Sequence, residues 1–110
     1  MLQFVVDELR PNEIERIVAF LEKSCKKSEL DNLFWLYLPD DLLTPVQYQH
    51  KDCKPFCAGI EVTEDKVIFE MLIRSRSRLR CNCISYATDQ QRQFILNFVD
   101  TVLKEAEILV

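Results

Sequence analysis

Cysteine and histidine residues are the first candidates for chemistry in this sequence. His50, Cys53 and Cys57 follow one another with the spacing H-x2-C-x3-C, and the pair Cys81-x-Cys83 lies further along the chain. Zinc prefers four such ligands in a tetrahedron, and loops commonly present them in pairs a few residues apart. The spacing predicts a metal site on His50, Cys53 and Cys57, completed by Cys81 or Cys83 if the strands meet there.

Two features of the same residues oppose a metal site. Cys81 and Cys83 alternate with polar residues, which is typical of a strand whose cysteines point into the core as small hydrophobic side chains. If Cys57 belongs to a neighbouring strand, the alternation places its thiol on the opposite face of the sheet. Under this alternative the chain binds no cofactor, and the cysteines contribute only packing.

A thiol-reactive site is a second interpretation of the segment around His50. His50 is the only histidine, Cys53 is its nearest thiol, and Lys51 and Lys54 would lower a neighbouring thiol pKa. An oxyanion site lined by glycine is not available, because Gly59 is the only glycine in the chain. We therefore assign no catalytic residue and do not favour an enzyme.

Four arginines form the second candidate site. Arg74, Arg76, Arg78 and Arg80 alternate with smaller residues, and the segment 71–88 contains no acidic residue. Guanidinium groups suit phosphate or carboxylate ligands, so the cluster predicts a site for an anion, a nucleotide or RNA. The alternative is a solvated hairpin tip whose charges discourage edge-to-edge aggregation.

Composition limits the classes of protein that the chain can represent. Its 110 residues, 48% of them hydrophobic, predict one domain spanning 1–110 with a substantial core. A single glycine excludes the glycine-rich phosphate loops of most nucleotide-binding folds. The net charge of −4 argues against general nucleic-acid binding, and no apolar run is long enough for a membrane span. An odd count of five cysteines favours reduced thiols and a cytoplasmic location.

The first half of the chain reads as a strand, a helix, a second strand and a long connection. Alternation predicts a strand over 2–6, and a stripe of apolar residues predicts a helix from Asn12 to about Lys27, with Asn12 and Glu15 as its capping box. The apolar run 33–38 predicts a buried strand. The proline-rich connection 39–55 is unusually long, with a short strand expected at 46–49.

The second half predicts a three-stranded meander followed by a helix. Apolar residues alternate over 56–62 and over 67–73 around a polar turn, which predicts a hairpin with Val62 opposite Val67. A third strand is expected over 79–86. Thr88 and Gln91 then form the capping box of a second amphipathic helix.

These elements predict an α+β fold. We expect a mainly antiparallel sheet, formed by the meander and one or two N-terminal strands, with two amphipathic helices on one face. The other face is too apolar for open solvent, which indicates that either the long connection or a second copy of the chain covers it. The candidate residues for an interface between two copies are Ile68, Leu72, Ile84 and Tyr86.

The sequence thus favours a non-enzymatic binding or interaction module that forms a homodimer or binds another protein, with no contact to a membrane. One alternative is an anion, nucleotide or RNA binder that uses the arginines from Arg74 to Arg80. The other is a zinc-stabilised or thiol-reactive domain that uses His50, Cys53 and Cys57.

Overall fold

The computed structural model describes residues 2–109, and Met1 and Val110 lie outside the described part. Its elements, in chain order, are β1 (Gln3–Val6), α1 (Pro11–Ser24), β2 (Lys26–Lys27), β3 (Leu33–Tyr37), α2 (Pro45–Gln49), β4 (Phe56–Val62), β5 (Val67–Glu70), β6 (Leu72–Ser75), β7 (Ser85–Tyr86) and α3 (Asp89–Glu105). Two 3-10 turns, Asp40–Leu42 and Lys51–Cys53, flank α2.

All strand pairs in the sheet are antiparallel, in the order β1-β5-β4-β3-β2, with β6 on β4 and β7 on β6. The α+β class and the mainly antiparallel sheet are therefore confirmed. The predicted hairpin is also confirmed, because Val62 pairs with Val67 and the Thr63 N–H donates to the Lys66 carbonyl at 2.8 Å. Alternating apolar residues on both strands favour this register, since a slip of one residue would turn them to solvent.

One bend divides the second strand of the hairpin into β5 and β6. Met71 lies at the bend, where its N–H donates to the Leu2 carbonyl and its carbonyl accepts from the Ala87 N–H. β5 pairs with the end of β4, whereas β6 pairs with its beginning at Phe56 and Cys57. The strand β4 therefore lies at the centre of the sheet.

The two long helices cover one face of the sheet, as predicted. Ile17 and Leu21 of α1 are buried, as are Ile95, Val99 and Val102 of α3. They belong to the same core cluster as the inward side chains of the strands, which include Phe34, Phe56, Ala58, Ile60, Val67 and Phe69. Thr88 and Gln91 form the predicted capping box of α3. No helix within residues 2–109 has the length and apolar character to cross a membrane.

The first helix has different ends from those predicted. It begins at Pro11, a residue favoured in the first turn because it needs no N–H partner there, and Glu13 accepts from the Arg10 N–H at 2.8 Å. The capping position is thus two residues earlier than the predicted Asn12. The helix ends at Ser24, and Lys26 and Lys27 pair with β3 as an edge strand.

The long connection between β3 and β4 contains a helix where we expected a short strand. Thr44 and Gln47 form a capping box around Pro45, with Thr44 Oγ1 accepting from the Gln47 N–H at 3.2 Å. Proline at the first helical position and these reciprocal bonds favour a helical turn over an extended segment. The prediction of a strand at 46–49 was therefore wrong.

The predicted third strand is also wrong for most of its length. Only Ser85–Tyr86 pairs with β6, and the segment before it folds as a loop. Leu79, expected in the core, is 88% exposed, while Cys83 is buried. The alternation that predicted the strand does not correspond to an extended backbone.

The second face of the sheet carries the four residues predicted as an interface. Ile68, Leu72 and Ile84 are half-buried, and Tyr86 is exposed. Leu72 lies opposite Tyr86 in the β6–β7 pair. An interface between copies at this face remains a prediction.

Candidate metal centre

Four side chains meet beside the 3-10 turn Lys51–Cys53, near the end of the long connection between β3 and β4. His50, Cys53, Cys81 and Cys83 each offer one ligand atom, and these atoms all lie within 4.8 Å of one another. His50 Nδ1 and Cys81 Sγ are 3.2 Å apart. In a tetrahedral zinc site with three sulfurs and one nitrogen, neighbouring ligand atoms are separated by about 3.5–3.8 Å. The cluster can therefore hold a metal ion with only small side-chain adjustments.

The end of α2 presents His50 and Cys53. His50 closes this helix, and its N–H donates to the Val46 and Gln47 carbonyls. The 3-10 turn Lys51–Cys53 follows directly, and the Cys53 N–H donates to the His50 carbonyl at 3.0 Å. One tight turn thus returns Cys53 to the same side of the chain as His50.

The loop between β6 and β7 presents Cys81 and Cys83. The Ile84 N–H donates to the Cys81 carbonyl at 3.1 Å, which closes a turn around Asn82. In a strand, residues i and i+2 share a face but lie about 6.5–7 Å apart along the chain. The turn shortens this separation, so that both sulfurs can reach the same point.

A pair of buried glutamines lies on the interior side of the cluster and bonds to its backbone. Gln47 and Gln91 are both 0% exposed, and Gln91 Nε2 donates to Gln47 Oε1 at 2.9 Å. Gln47 Nε2 donates to the Cys83 carbonyl at 3.1 Å. Each glutamine is also the third residue of its helix. There it accepts from the backbone N–H of the capping residue, which is Thr44 for Gln47 and Thr88 for Gln91. The first turns of α2 and α3 are thus joined through the two glutamines, and Gln47 links them to the backbone of Cys83.

Ser75 and Ser77 form hydrogen bonds between the start of the β6–β7 loop and the 3-10 turn Lys51–Cys53. Ser75 Oγ donates to the Cys53 carbonyl and accepts from the N–H groups of Ser77 and Arg78. Ser77 Oγ donates to the Lys54 carbonyl at 2.6 Å. These bonds join the loop to the 3-10 turn at the position where the two ligand pairs face each other. The backbone around the cluster is therefore held by protein contacts.

The pKa values of the two thiols of the C-x-C pair are shifted in opposite directions. A hydrogen bond from the Cys83 backbone, supported by the Cys83 and His50 side chains, lowers the pKa of Cys81 to about 6. Burial raises the pKa of Cys83 to about 12. Cys53 and Cys83 are buried, whereas His50 and Cys81 are half-buried. The cluster therefore has a dry side and a side that opens toward solvent.

Cys57, the predicted third ligand, lies outside this cluster. It is fully buried on β4, and its sulfur is 3.8 Å from the Arg74 carbonyl. Burial raises its pKa to about 12, so the thiol stays protonated. The alternation of β4 turns the side chain away from His50, and Cys81 and Cys83 supply the remaining ligand atoms instead.

Three of the four arginines, Arg74, Arg76 and Arg78, line one groove together with Trp35. Arg74 pairs with Glu70 at 2.7 Å, and the Arg76 guanidinium lies over the Trp35 ring at 5.0 Å from its centre. Arg78 and Arg80 line a groove beside the metal-ligand cluster. The strand β6 ends at Ser75, and Arg78 in the loop that follows lines both grooves, whereas Arg80 lines only the groove beside the metal-ligand cluster among the described residues.

Comparisons of the chain with protein-family models, with curated protein sequences and with solved structures found no match.

Proposed function

We propose that the protein is a non-enzymatic binding domain stabilised by one zinc ion, held by His50, Cys53, Cys81 and Cys83. The observation that carries the proposal is the approach of one nitrogen and three sulfur atoms to within 4.8 Å. The two pairs come from segments about 30 residues apart, so an ion at this position would crosslink the long connection to the β6–β7 loop.

The chemistry of the ligand atoms favours zinc among the common metal ions. Three thiolates and one imidazole form a soft set, whereas magnesium and calcium require oxygen ligands. Zinc in structural sites is almost always four-coordinate, and three cysteines with one histidine are a common combination. Four protein ligands leave no open position for substrate, which supports a structural role over a catalytic one.

The surroundings of the cluster support the same role. Metal ligands are commonly oriented by hydrogen bonds from neighbouring groups. Here Gln47 donates to the Cys83 carbonyl, and Ser75 donates to the Cys53 carbonyl. Both ligand-bearing segments are thus positioned by the fold, which reduces the conformational entropy lost on binding an ion.

Native mass spectrometry on protein purified in reductant without chelator tests the proposal. We expect an excess mass of one zinc ion per chain, and a cobalt-substituted sample should show the visible absorption bands of a tetrahedral thiolate site. Cys81→Ser should lose the metal, while the control Cys25→Ser should retain it, because Cys25 ends α1 away from the cluster. Equal metal content in the two variants, or a metal-free wild type that takes up no zinc, would contradict the proposal.

A homodimer in the cytoplasm is the second part of the proposed function. The half-buried apolar side chains of Ile68, Leu72 and Ile84 on the second sheet face support it, because contiguous apolar surface commonly marks an interface. The same mass spectra report the oligomeric state directly. A monomer at micromolar concentration would argue against this part alone.

A further inference from the structure

A groove of about 420 Å³ opens beside the metal-ligand cluster. Its lining includes His50, Cys53 and Cys81 of the cluster and three positively charged side chains: Lys51, Arg78 and Arg80. Asp52 is the one acidic residue at its rim. The groove is large enough for a phosphoryl group with part of the molecule that carries it.

The three cations of the groove take part in no direct ion pair in the part of the chain that the structure describes. Within residues 2–109, the ion pairs engage Lys54 with Asp40 and Arg74 with Glu70, but not Lys51, Arg78 or Arg80. A zinc ion with three thiolates has a charge of about −1, and Asp52 adds another negative charge. Three cations therefore leave an excess of about one positive charge in a protein whose total is −4.

The backbone that carries the arginines is fixed in position. The Arg78 N–H donates to Ser75 Oγ at 2.9 Å, and the Arg76 N–H donates to the Pro55 carbonyl at 2.9 Å. Arg80 directly precedes Cys81, a member of the cluster. The two guanidinium groups therefore extend from an ordered loop, which lowers the entropic cost of holding a ligand between them.

We propose that this groove binds the phosphoryl group of a phosphate-bearing ligand. The planar guanidinium groups of Arg78 and Arg80 would donate paired hydrogen bonds to phosphate oxygens, and Lys51 would add a compact positive charge. The proposal does not depend on zinc, because the serine and glutamine contacts also hold the loop. Metal content and ligand binding can therefore be measured as separate properties.

Two phosphate probes and one carboxylate probe test the groove. Binding of inorganic pyrophosphate, of a labelled single-stranded RNA 12-mer and of a hexaglutamate peptide is measured at low salt on protein of known metal content. We expect a phosphate probe to bind, and Arg78→Glu with Arg80→Glu to weaken its binding at least about ten-fold, because the variant loses two charge-assisted donors and gains two negative charges. The matched control is Lys23→Glu with Lys66→Glu, which changes the net charge equally at exposed positions.

The probes also distinguish the sources of the phosphate. Pyrophosphate binding as tight as RNA binding assigns the groove to a small phosphorylated molecule, whereas RNA binding alone, weakening steeply with salt, assigns it to a nucleic-acid strand. The arginine variant must keep the melting temperature and metal content of the wild type. Absence of phosphate binding, equal loss in the lysine control, or equally tight binding of hexaglutamate would overturn the proposal.

Discussion

Replacing Gln47 with leucine tests whether the buried glutamine pair determines the position of the ligand loop. The side chain has three partners: it accepts from the Thr44 N–H at 3.0 Å, accepts from Gln91 Nε2 at 2.9 Å and donates to the Cys83 carbonyl at 3.1 Å. Leucine has a similar volume but can make none of these bonds. The Thr44 N–H lies in a partly buried region, whereas the contacts to Gln91 and Cys83 are fully buried.

The expected destabilisation follows from the groups left without partners. An unpaired buried donor or acceptor costs about 1–3 kcal/mol, so the Gln91 N–H and the Cys83 carbonyl together cost about 2–6 kcal/mol. The transfer of an apolar side chain into the core offsets part of this. We therefore expect Gln47→Leu to lower the free energy of unfolding by about 2–4 kcal/mol, a large share of the 5–15 kcal/mol typical of domains.

Urea unfolding followed by tryptophan fluorescence measures the change, and Gln93→Leu is the matched control. Gln93 is an exposed residue of α3, and among residues 2–109 its side chain bonds only to Asn97. We expect the control to change the stability by less than about 0.5 kcal/mol. The double variant with Gln91→Leu should be less destabilised than the sum of the single variants, because either single substitution already breaks the bond between the two glutamines. A Gln47→Leu value equal to that of the control would refute the reasoning.

Three further expectations follow from the thiols, the sheet face and the loop. Burial raises the pKa of Cys25 and Cys57 to about 12. At pH 8 iodoacetamide should therefore label each thiol roughly a thousand-fold slower than in urea-unfolded protein, and mass spectrometry measures the two rates. Labelling at similar rates would show that these thiols are open to solvent. If the second sheet face forms a dimer, Ile68→Glu should shift the sedimentation coefficient to that of a monomer, and an unchanged oligomer would place the interface elsewhere. Ser75→Ala should destabilise the protein by about 0.5–1.5 kcal/mol in thermal unfolding, because it removes the partly buried bond to the Cys53 carbonyl and the acceptor of two exposed N–H groups; no change in the melting temperature would mean that water replaces the hydroxyl.

The raised pKa values of Cys25 and Cys57 also set the direction of the pH dependence. The folded protein holds these protons more tightly than the unfolded chain, in which a thiol has a pKa near 9. Their contribution to stability is therefore complete below pH 9 and declines as the pH rises toward 12.

The sheet and its helices could be predicted because their hydrophobic patterns are regular and local. Val62 and Val67 mark a hairpin whose strands alternate cleanly, and Thr88 with Gln91 marks the start of α3. The same capping signal at Thr44 and Gln47 predicts α2, but we interpreted the proline-rich connection as extended. A capping box next to proline predicts a short helix even where no long apolar stripe follows it.

The metal-ligand cluster could be predicted only in part. The spacing of His50 and Cys53 indicated one half of it, and the structure places both there. Cys81 and Cys83 resembled core positions of a strand because alternation cannot distinguish a strand from a turn that brings residues i and i+2 together. Their approach to His50 depends on contacts between distant segments, including those of Gln47 and Ser75, which no local pattern encodes.

The central position of β4 has a consequence for the order of folding events. Its pairing with β5 joins Val62 to Val67 across a four-residue turn, so this hairpin closes with little loss of chain entropy. We expect the segments with His50 and Cys81 to meet only after β6 has paired with the beginning of β4, because that pairing brings the two segments together. We expect φ values near 0.5–0.8 for conservative substitutions at Ile60 and Phe69 and near zero for Gln47→Leu. Contacts formed this late mainly slow unfolding, so the ligand cluster would extend the lifetime of the folded state more than it would speed its formation.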